Sequence, residues 1–562
     1  MEDGINLSNS NLKTFDNFYA DLAQSAYNGR PNAFPRYNNA VNWKLIDYSQ
    51  HINYAGENTP GGKHLPHNGR VYLQPDPELR DTYKVASIPV PDANGMRQDI
   101  HHKRYQKGLL TDDEAGFSAY YLTDTPTLTN DTKKTYMAIR GSDAISKENW
   151  NDWIDNDAKF ALNHIHTPQA KLATVGMKTK IAEMTEKAPQ ATMDITGHSL
   201  GTIVSAQGVA GLSDEELEKI SKVVLFDGPD TTKSLKKMGL SDEKIKKISE
   251  KIEYYVNPFD IVGMLNREHT ITKLPGDSDE PLKKPVGKVN VLVPLHYTQI
   301  TDPESSHDFG VFQSDGKGNL LTASEDFHPE LLRAGEKLSR LIAKSLDSLR
   351  ALGVDENVAT NVLNSIMRGE FKIKAAIGYG VYENFTTEYS KIVEEARQES
   401  IKWDREAIPR YQEQLRSGNL SGNQRILVRA QLLQTAAQLA NFDMEDKVKS
   451  VKTLLSDAKE DIQNIVKETR STAFDMVGYL SSSEVTNLLS GFDTTSFWDE
   501  GVASDTKTAA TSFLTQIQQL GESLVKASGS FETIDRDSAE DFNNLLADVK
   551  QTWRGKNGSP NG

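Results

Sequence analysis

Apolar and polar positions follow two successive patterns along this chain. In the first, short apolar runs of strand length alternate with segments of helical periodicity. Residues 115–121, 135–139, 193–196, 222–226, 252–256 and 289–295 read as strands. Residues 171–187 read as an amphipathic helix, 200–212 as a helix of small residues, and two lysine-rich helical pieces follow Asp230. Strands and helices alternating in this way predict a mainly parallel sheet covered on both faces. Ahead of them, Phe15, Phe18, Tyr19, Leu22, Ala23 and Ala26 recur at helical spacing, and Gly29 with Pro31 ends that helix. Residues 32–104, rich in Asn, Pro, Gly and His, predict loops.

Near residue 325 the pattern changes, and helical periodicity alone continues to residue 553. Leu331, Leu338, Ile342 and Leu349 mark one helix; Phe385, Tyr389, Ile392, Ala396 and Trp403 mark another of about 40 residues. Residues 426–455 and 458–480 read as further helices, with breaks at 417–422 and 481–483. Phe513, Ile517, Leu520 and Leu524 fall at i, i+4, i+7 and i+11, a coiled-coil-like seam. The expected organisation is an α/β domain at 1–325, an elongated all-helical domain at 326–554 and a disordered tail at 555–562.

Composition narrows the function. The 562 residues are 37% hydrophobic and 25% charged, as in a soluble protein of two or three domains. A formal charge of −15 argues against a nucleic-acid partner and gives no attraction to anionic lipid. The absence of cysteine excludes disulfides, thiolate metal sites and a cysteine nucleophile. His64, His67, His101 and His102 lack metal-ligand spacing and read as loop residues. The N-terminal residues have neither a basic start nor an apolar run, and no stretch reads as membrane-spanning. The expectation is a chain that stays in the cytoplasm or leaves the cell without a signal peptide.

The chemistry centres on Gly197-His198-Ser199-Leu200-Gly201, a G-x-S-x-G pattern between the 193–196 strand and the small-residue helix. A serine on such a turn is lifted clear of the sheet, and close backbone approach favours glycine two positions to either side. The Leu200 N–H, at the helix N-terminus, faces a forming oxyanion. A nucleophilic serine needs a base and an orienting carboxylate, which in α/β-hydrolase topology follow as acid and then histidine. Asp260, just past the 252–256 strand, suits the acid; Asp227 and Asp230 are the alternatives. His307, in a polar loop after the last strand, suits the base; His296 is the alternative, and His269 comes too soon after Asp260. Arg140-Gly141-Ser142 ends an earlier strand and offers the Ser142 N–H as second oxyanion donor. Trp150, Trp153 and Ile154 suggest an apolar flap over the site or, equally, a helix anchored to the core.

The runs 138–143 with Asn149-Trp150, 196–201, 224–229 and 257–262 together resemble the class-three (fungal-lipase-like) lipases. They correspond in order to that family's oxyanion loop, elbow, next strand and acid loop. The resemblance implies an α/β-hydrolase fold and a triad of Ser199, Asp260 and His307. In the helical half, Phe497-Trp-Asp-Glu-Gly501, the seam helix and residues 534–542 resemble the LXG and WXG-like targeting domains of type VII-secreted proteins. The order, enzyme first and helices last, is similar to that of the reverse-order type VII-secreted lipase toxins of staphylococci. That likeness implies secretion without a signal peptide through the type VII machinery, and small helical WXG-like partner proteins on the C-terminal domain. It also implies an immunity protein in the producing cell.

The combined expectation is a serine lipase or phospholipase A, A1-type, cleaving acyl esters of a target membrane's phospholipid. It needs no cofactor and no metal, although calcium at the lipid interface is compatible with it. The competing readings are a helical adaptor with an inactive hydrolase domain, and a thioesterase or peptidase of the same fold.

Overall fold

A computed structural model of the protein describes residues 16–27, 44–47, 70–74, 76–92, 95–141, 167–294, 297, 306–307, 309, 312–313, 319–351 and 376–530. Its contacts divide the chain into two compact units, Met1–Ser400 and Ile401–Gly562.

The first unit opens with α1 (Asp16–Ser25), β1 (Lys44–Asp47), β2 (Arg70–Leu73), β3 (Arg80–Asp92), β4 (Gly95–Lys107), β5 (Thr111–Asp112), β6 (Phe117–Thr123) and β7 (Lys134–Ile139). The α/β alternation follows: α2 (Pro168–Lys187), β8 (Thr192–His198), α3 (Leu200–Ala210), α4 (Asp214–Glu218), β9 (Ile220–Phe226), α5 (Thr232–Lys237), α6 (Asp242–Ser249), β10 (Ile252–Val256) and β11 (Lys288–Val291). Strands β7 to β11 lie side by side in chain order, each parallel to the next. β6 closes the β7 side antiparallel, and β2 and then β1 extend from it. The sheet is mixed: a parallel block, β7 to β11, continues into antiparallel strands on the β6 side.

The strand sequences explain the layers. Along β7, Tyr136 and Ala138 join a core with Phe18, Tyr19 and Leu22 of α1. The alternate residue Thr135 points to the other face, where its hydroxyl donates to Met184 Sδ of α2 at 3.1 Å. Both faces are therefore dry, which is why these strands read as continuous apolar runs. Each large side chain buried there contributes roughly 1.5–3 kcal/mol. Helix α1 is tied to the serine-bearing strand: Tyr19 donates to Asp194 Oδ2 at 2.9 Å, and Thr196 Oγ1 donates to the Tyr19 carbonyl at 3.2 Å.

Three expectations need correction in this unit. Residues 80–107, expected as loops, form a long antiparallel hairpin, with Arg80 paired to Lys107 and Asp92 to Gly95. Pro89 and Pro91 and the polar composition disguise it, because few residues on either strand are strong strand formers. His101 and His102 fall on β4, not in a loop. The 289–295 strand is shorter than expected: β11 ends at Val291, and beyond it only isolated bridges form, Leu292 to Thr322 and Pro294 to Phe312.

Helix α7 (Pro329–Ala351) and the first part of α8 (Ala376–Arg416) belong to this unit as well, so the division at residue 400 lies C-terminal to the change of sequence pattern at 325. The buried Glu336 carboxylate of α7 accepts the backbone N–H groups of His269 at 2.7 Å and Ile271 at 3.2 Å. Arg340, one turn on, makes a two-pronged ion pair with Asp277. An amphipathic helix with such partners packs where its apolar face and its charges are both met.

The second unit is helical throughout its described residues: the end of α8, α9 (Gly422–Met476), α10 (Ser482–Leu488), α11 (Thr494–Phe497) and α12 (Glu500–Ser530). Residues 426–455 and 458–480 had read as separate helices, but α9 runs unbroken across 456–457. Its start is a capping box in which Ser421 and Gln424 satisfy each other's backbone N–H groups. Helices α9 and α12 run antiparallel, with Gly521 beside Ala437 and Lys459 paired with Glu500 at 3.0 Å. The expected seam is met at Ile517 and Leu524, which are half-buried, and displaced by one position at its other two residues. Phe513 and Leu520 are exposed, whereas Leu514, Ile517 and Gly521 turn inward.

Candidate active site

Ser199 stands between the last residue of β8 and the first of α3. Its backbone has φ 56° and ψ −129°, a conformation that costs a non-glycine residue about 1–3 kcal/mol. The surroundings enforce it. Ser199 N–H donates to the Phe226 carbonyl of β9 at 3.0 Å, while Thr202 Oγ1 donates to the Ser199 carbonyl at 2.7 Å. The two flanking glycines are required by close approach. A Cβ on Gly197 would stand 2.7 Å from the Gly201 carbonyl oxygen, and one on Gly201 would stand 2.5 Å from the Ile139 carbonyl oxygen. Leu200 opens α3, so its N–H has no partner within the helix and lies at the positive end of the dipole. The start of α3 packs on the Arg140–Gly141 backbone, since the same Gly201 Cβ would be 3.1 Å from Gly141 N. Ser142 lies outside the described residues, as do Trp150, Trp153, Ile154 and His296.

Asp260 follows β10 in a buried turn that it organises itself. Its Oδ1 accepts from Val262 N at 3.1 Å and its Oδ2 from Gly263 N at 2.6 Å. The preceding carbonyl, that of Phe259, accepts from Ser306 Oγ at 3.1 Å and from Tyr389 Oη at 2.7 Å. Next to Ser306 comes His307, whose Nδ1 lies 3.0 Å from Asp260 Oδ2. The structure thus brings Asp260 and His307 together from loops 47 residues apart.

The alternatives behave differently. Asp230 accepts from Thr232 N at 2.7 Å at the start of α5 and faces the buried guanidinium of Arg267 at 4.0 Å, a turn-capping role. His269 is held through its backbone to Glu336, as described above. Asp227 sits closer to the site, accepting from Asn257 N at 2.7 Å. Burial, and then the charge of Asp260, hold its carboxyl well above the usual carboxylate range, opposed by His307. Asp227 thus favours its protonated form beside the Asp260 carboxylate. Among the described residues no group of three or more His, Asp or Glu side chains is arranged to hold a metal ion.

Ser199 is 2% exposed, and its Oγ makes no hydrogen bond to any described residue. The chain neighbour of Ser199 is His198, whose significance the sequence pattern does not mark because it occupies an unspecified position of G-x-S-x-G. Its ring packs 4.7 Å from that of His307 and 4.5 Å from that of Phe309, centroid to centroid. Tyr27 Oη lies 2.5 Å from His198 Nδ1. Burial, reinforced by the adjacent His307, holds His198 well below the usual histidine range, so it is neutral.

This geometry meets an independent finding. Residues 137–270 match the cutinase family model. Members of that family are serine carboxylic ester hydrolases with an α/β hydrolase fold, and the protein carries a carboxylic ester hydrolase domain. The matched stretch begins within β7, contains Ser199 and Asp260, and ends before His307. It shares the ester hydrolase chemistry expected from the class-three lipase resemblance but is a different family. No curated protein and no solved structure matches the chain.

Proposed function

We propose that the protein is a lipid-directed serine hydrolase, a phospholipase A of A1 type, working through Ser199, His307 and Asp260. The observation that carries this reading is the contact between Asp260 and His307 beside a strained serine elbow. Ser199 Oγ attacks the ester carbonyl as His307 Nε2 takes its proton. Asp260 holds the opposite ring nitrogen protonated and so fixes the tautomer. The tetrahedral oxyanion is met by the N–H groups of Leu200 and Ser142. Collapse expels the alcohol, which receives the proton from His307, and water then repeats the sequence on the acyl-enzyme. The burial of Ser199 fits a site whose cover moves when substrate binds. The reaction calls for no cofactor.

Turnover of p-nitrophenyl esters of graded chain length by wild type and Ser199→Ala tests this reading. Activity rising with chain length and absent from the variant supports it. Preference for acetyl over all longer chains would point to a short-chain esterase or thioesterase instead. Mass spectrometry of products from defined phospholipids then assigns the cleaved acyl position.

For the C-terminal half we propose export by type VII secretion, with small helical partner proteins on the second unit. A toxin acting at a target membrane and an immunity protein in the producer complete that reading. No helix among the described residues is long and apolar enough to cross a membrane. The reading draws support from the apolar side chains that α9 and α12 leave exposed, among them Leu454, Ile465, Val502 and Phe513. Co-expression of the full chain with candidate small helical proteins tests it; failure to co-purify with any of them counts against export by this route.

A further inference from the structure

We propose that Tyr27 and His198 are positioning residues that hold the backbone of His307 in place for the reaction. The inference rests on the Ser199–His307–Asp260 reading and adds to it a relay that enters from the turn after α1.

The direction of the relay follows from donor and acceptor chemistry. His198 Nε2 lies 3.0 Å from the His307 carbonyl oxygen. A carbonyl can only accept, so Nε2 carries the hydrogen. His198 is neutral, which leaves its Nδ1 bare, and the Tyr27 hydroxyl at 2.5 Å must donate to it. The opposite tautomer would place two lone pairs against each other at Nε2. One hydrogen bond therefore selects the other: Tyr27 Oη–H to His198 Nδ1, then His198 Nε2–H to the His307 carbonyl.

Packing makes the arrangement specific. Tyr27 and His198 meet edge to face, with ring centroids 5.6 Å apart. A Cβ on Gly141 would overlap Tyr27 Oη and stand 2.7 Å from the His198 carbonyl oxygen. The Tyr27 hydroxyl is thus wedged among the turn after β7, the serine elbow and the histidine segment. Ser306 anchors that segment to the acid loop and His198 anchors it to the elbow, so the imidazole of His307 is fixed from both sides. Displacement of a reacting group by about 1 Å can cost 10²-fold in rate, which sets the scale of what such anchoring protects.

The experiment measures kcat and KM on a soluble short-chain p-nitrophenyl ester for the full-length wild type, Tyr27→Phe, His198→Gln, His198→Asn and His198→Phe, with Ser199→Ala and Asp260→Asn as references. Tyr27→Phe and His198→Phe keep the rings and lose the relay; kcat should fall roughly 10–100-fold with KM changed less than about threefold. The amide nitrogen of His198→Gln reaches the position of Nε2 and should restore most of kcat, whereas that of His198→Asn stops at the position of Nδ1 and should not. If the ring-preserving variants do not fold, the contrast between Gln and Asn decides. Wild-type kcat in Tyr27→Phe, or equal kcat in His198→Gln and His198→Asn, overturns the inference. Loss of the underlying reading looks different: Ser199→Ala and Asp260→Asn would then retain turnover whatever the Tyr27 and His198 variants do.

Discussion

Gly201→Ala adds a single methyl group to the tightest backbone-to-backbone contact around the elbow. The added Cβ would stand 2.5 Å from the Ile139 carbonyl oxygen and 3.1 Å from both the Arg140 carbonyl carbon and Gly141 N. A methyl group and a carbonyl oxygen settle no closer than about 3.2 Å, so α3 and the end of β7 must separate by roughly 0.7 Å. All three neighbours are backbone atoms, and no rotamer change can relieve the overlap. Overpacking of this kind costs about 1–3 kcal/mol, which lowers Tm by roughly 2–4 °C for each kcal/mol. The same separation moves the Leu200 N–H away from the turn that carries Gly141, and so widens the oxyanion site. A loss of order 10²-fold in kcat follows, with KM for a soluble ester little changed. Steady-state kinetics on a p-nitrophenyl ester, read together with a circular-dichroism melt, separate the two effects. A variant with wild-type Tm and kcat within twofold would refute the claim that this contact sets the distance between elbow and oxyanion turn.

Three further substitutions probe other parts of the structure. Asp260→Asn turns an amide towards His307 Nδ1 and takes the acceptor from the Gly263 N–H; kcat should fall by about 10³–10⁴-fold with a stability loss of about 1–3 kcal/mol, and activity above a tenth of wild type in the folded variant would remove Asp260 from the mechanism. Asp227→Asn should leave kcat within a few-fold of wild type. It should also alter the pH dependence of stability: the folded protein keeps the Asp227 proton after the unfolded chain has lost it, so wild-type stability is complete below about pH 4 and declines as pH rises towards the folded-state value, by at most about 1.4 kcal/mol per pH unit. The Tm difference between variant and wild type should therefore shift in the variant's favour from pH 4 to pH 7, and a constant difference would show that Asp227 is not held neutral. Glu336→Ala leaves the His269 and Ile271 N–H groups and the Nε of Arg340 without this acceptor, while Arg340 keeps Asp277; a loss of about 2–4 kcal/mol in urea unfolding is expected, and less than about 0.5 would mean that α7 is not held to the α/β unit by this carboxylate.

What could be read from the sequence here was whatever leaves a local mark. The parallel strands announce themselves because both faces of the sheet are dry and each strand is a short apolar run. The elbow does so because backbone crowding at 197 and 201 permits only glycine. The 80–107 hairpin left no such mark: its residues are largely polar, and two prolines lie within β3. The unbroken α9 was hidden for the opposite reason, since a polar stretch around Ser456 and Asp457 mimics a break although helix persists wherever packing on either side continues it.

The site divides along the same line. Asp260 stands out as the candidate acid because such an acid sits just past a strand end, a rule about order along the chain. Tyr27 and His198 follow no such rule. Their roles depend on which nitrogen of one ring faces a carbonyl 109 residues away, and that geometry exists only once α1, the elbow and the histidine segment are packed together. The match to a family model covers the elbow and the acid loop and stops short of both Tyr27 and His307, so the support proposed for the histidine segment draws on residues outside the matched stretch. On the proposed reading, substitutions at Tyr27 and in the 306–307 segment should not act independently, because both bear on one tautomer of His198.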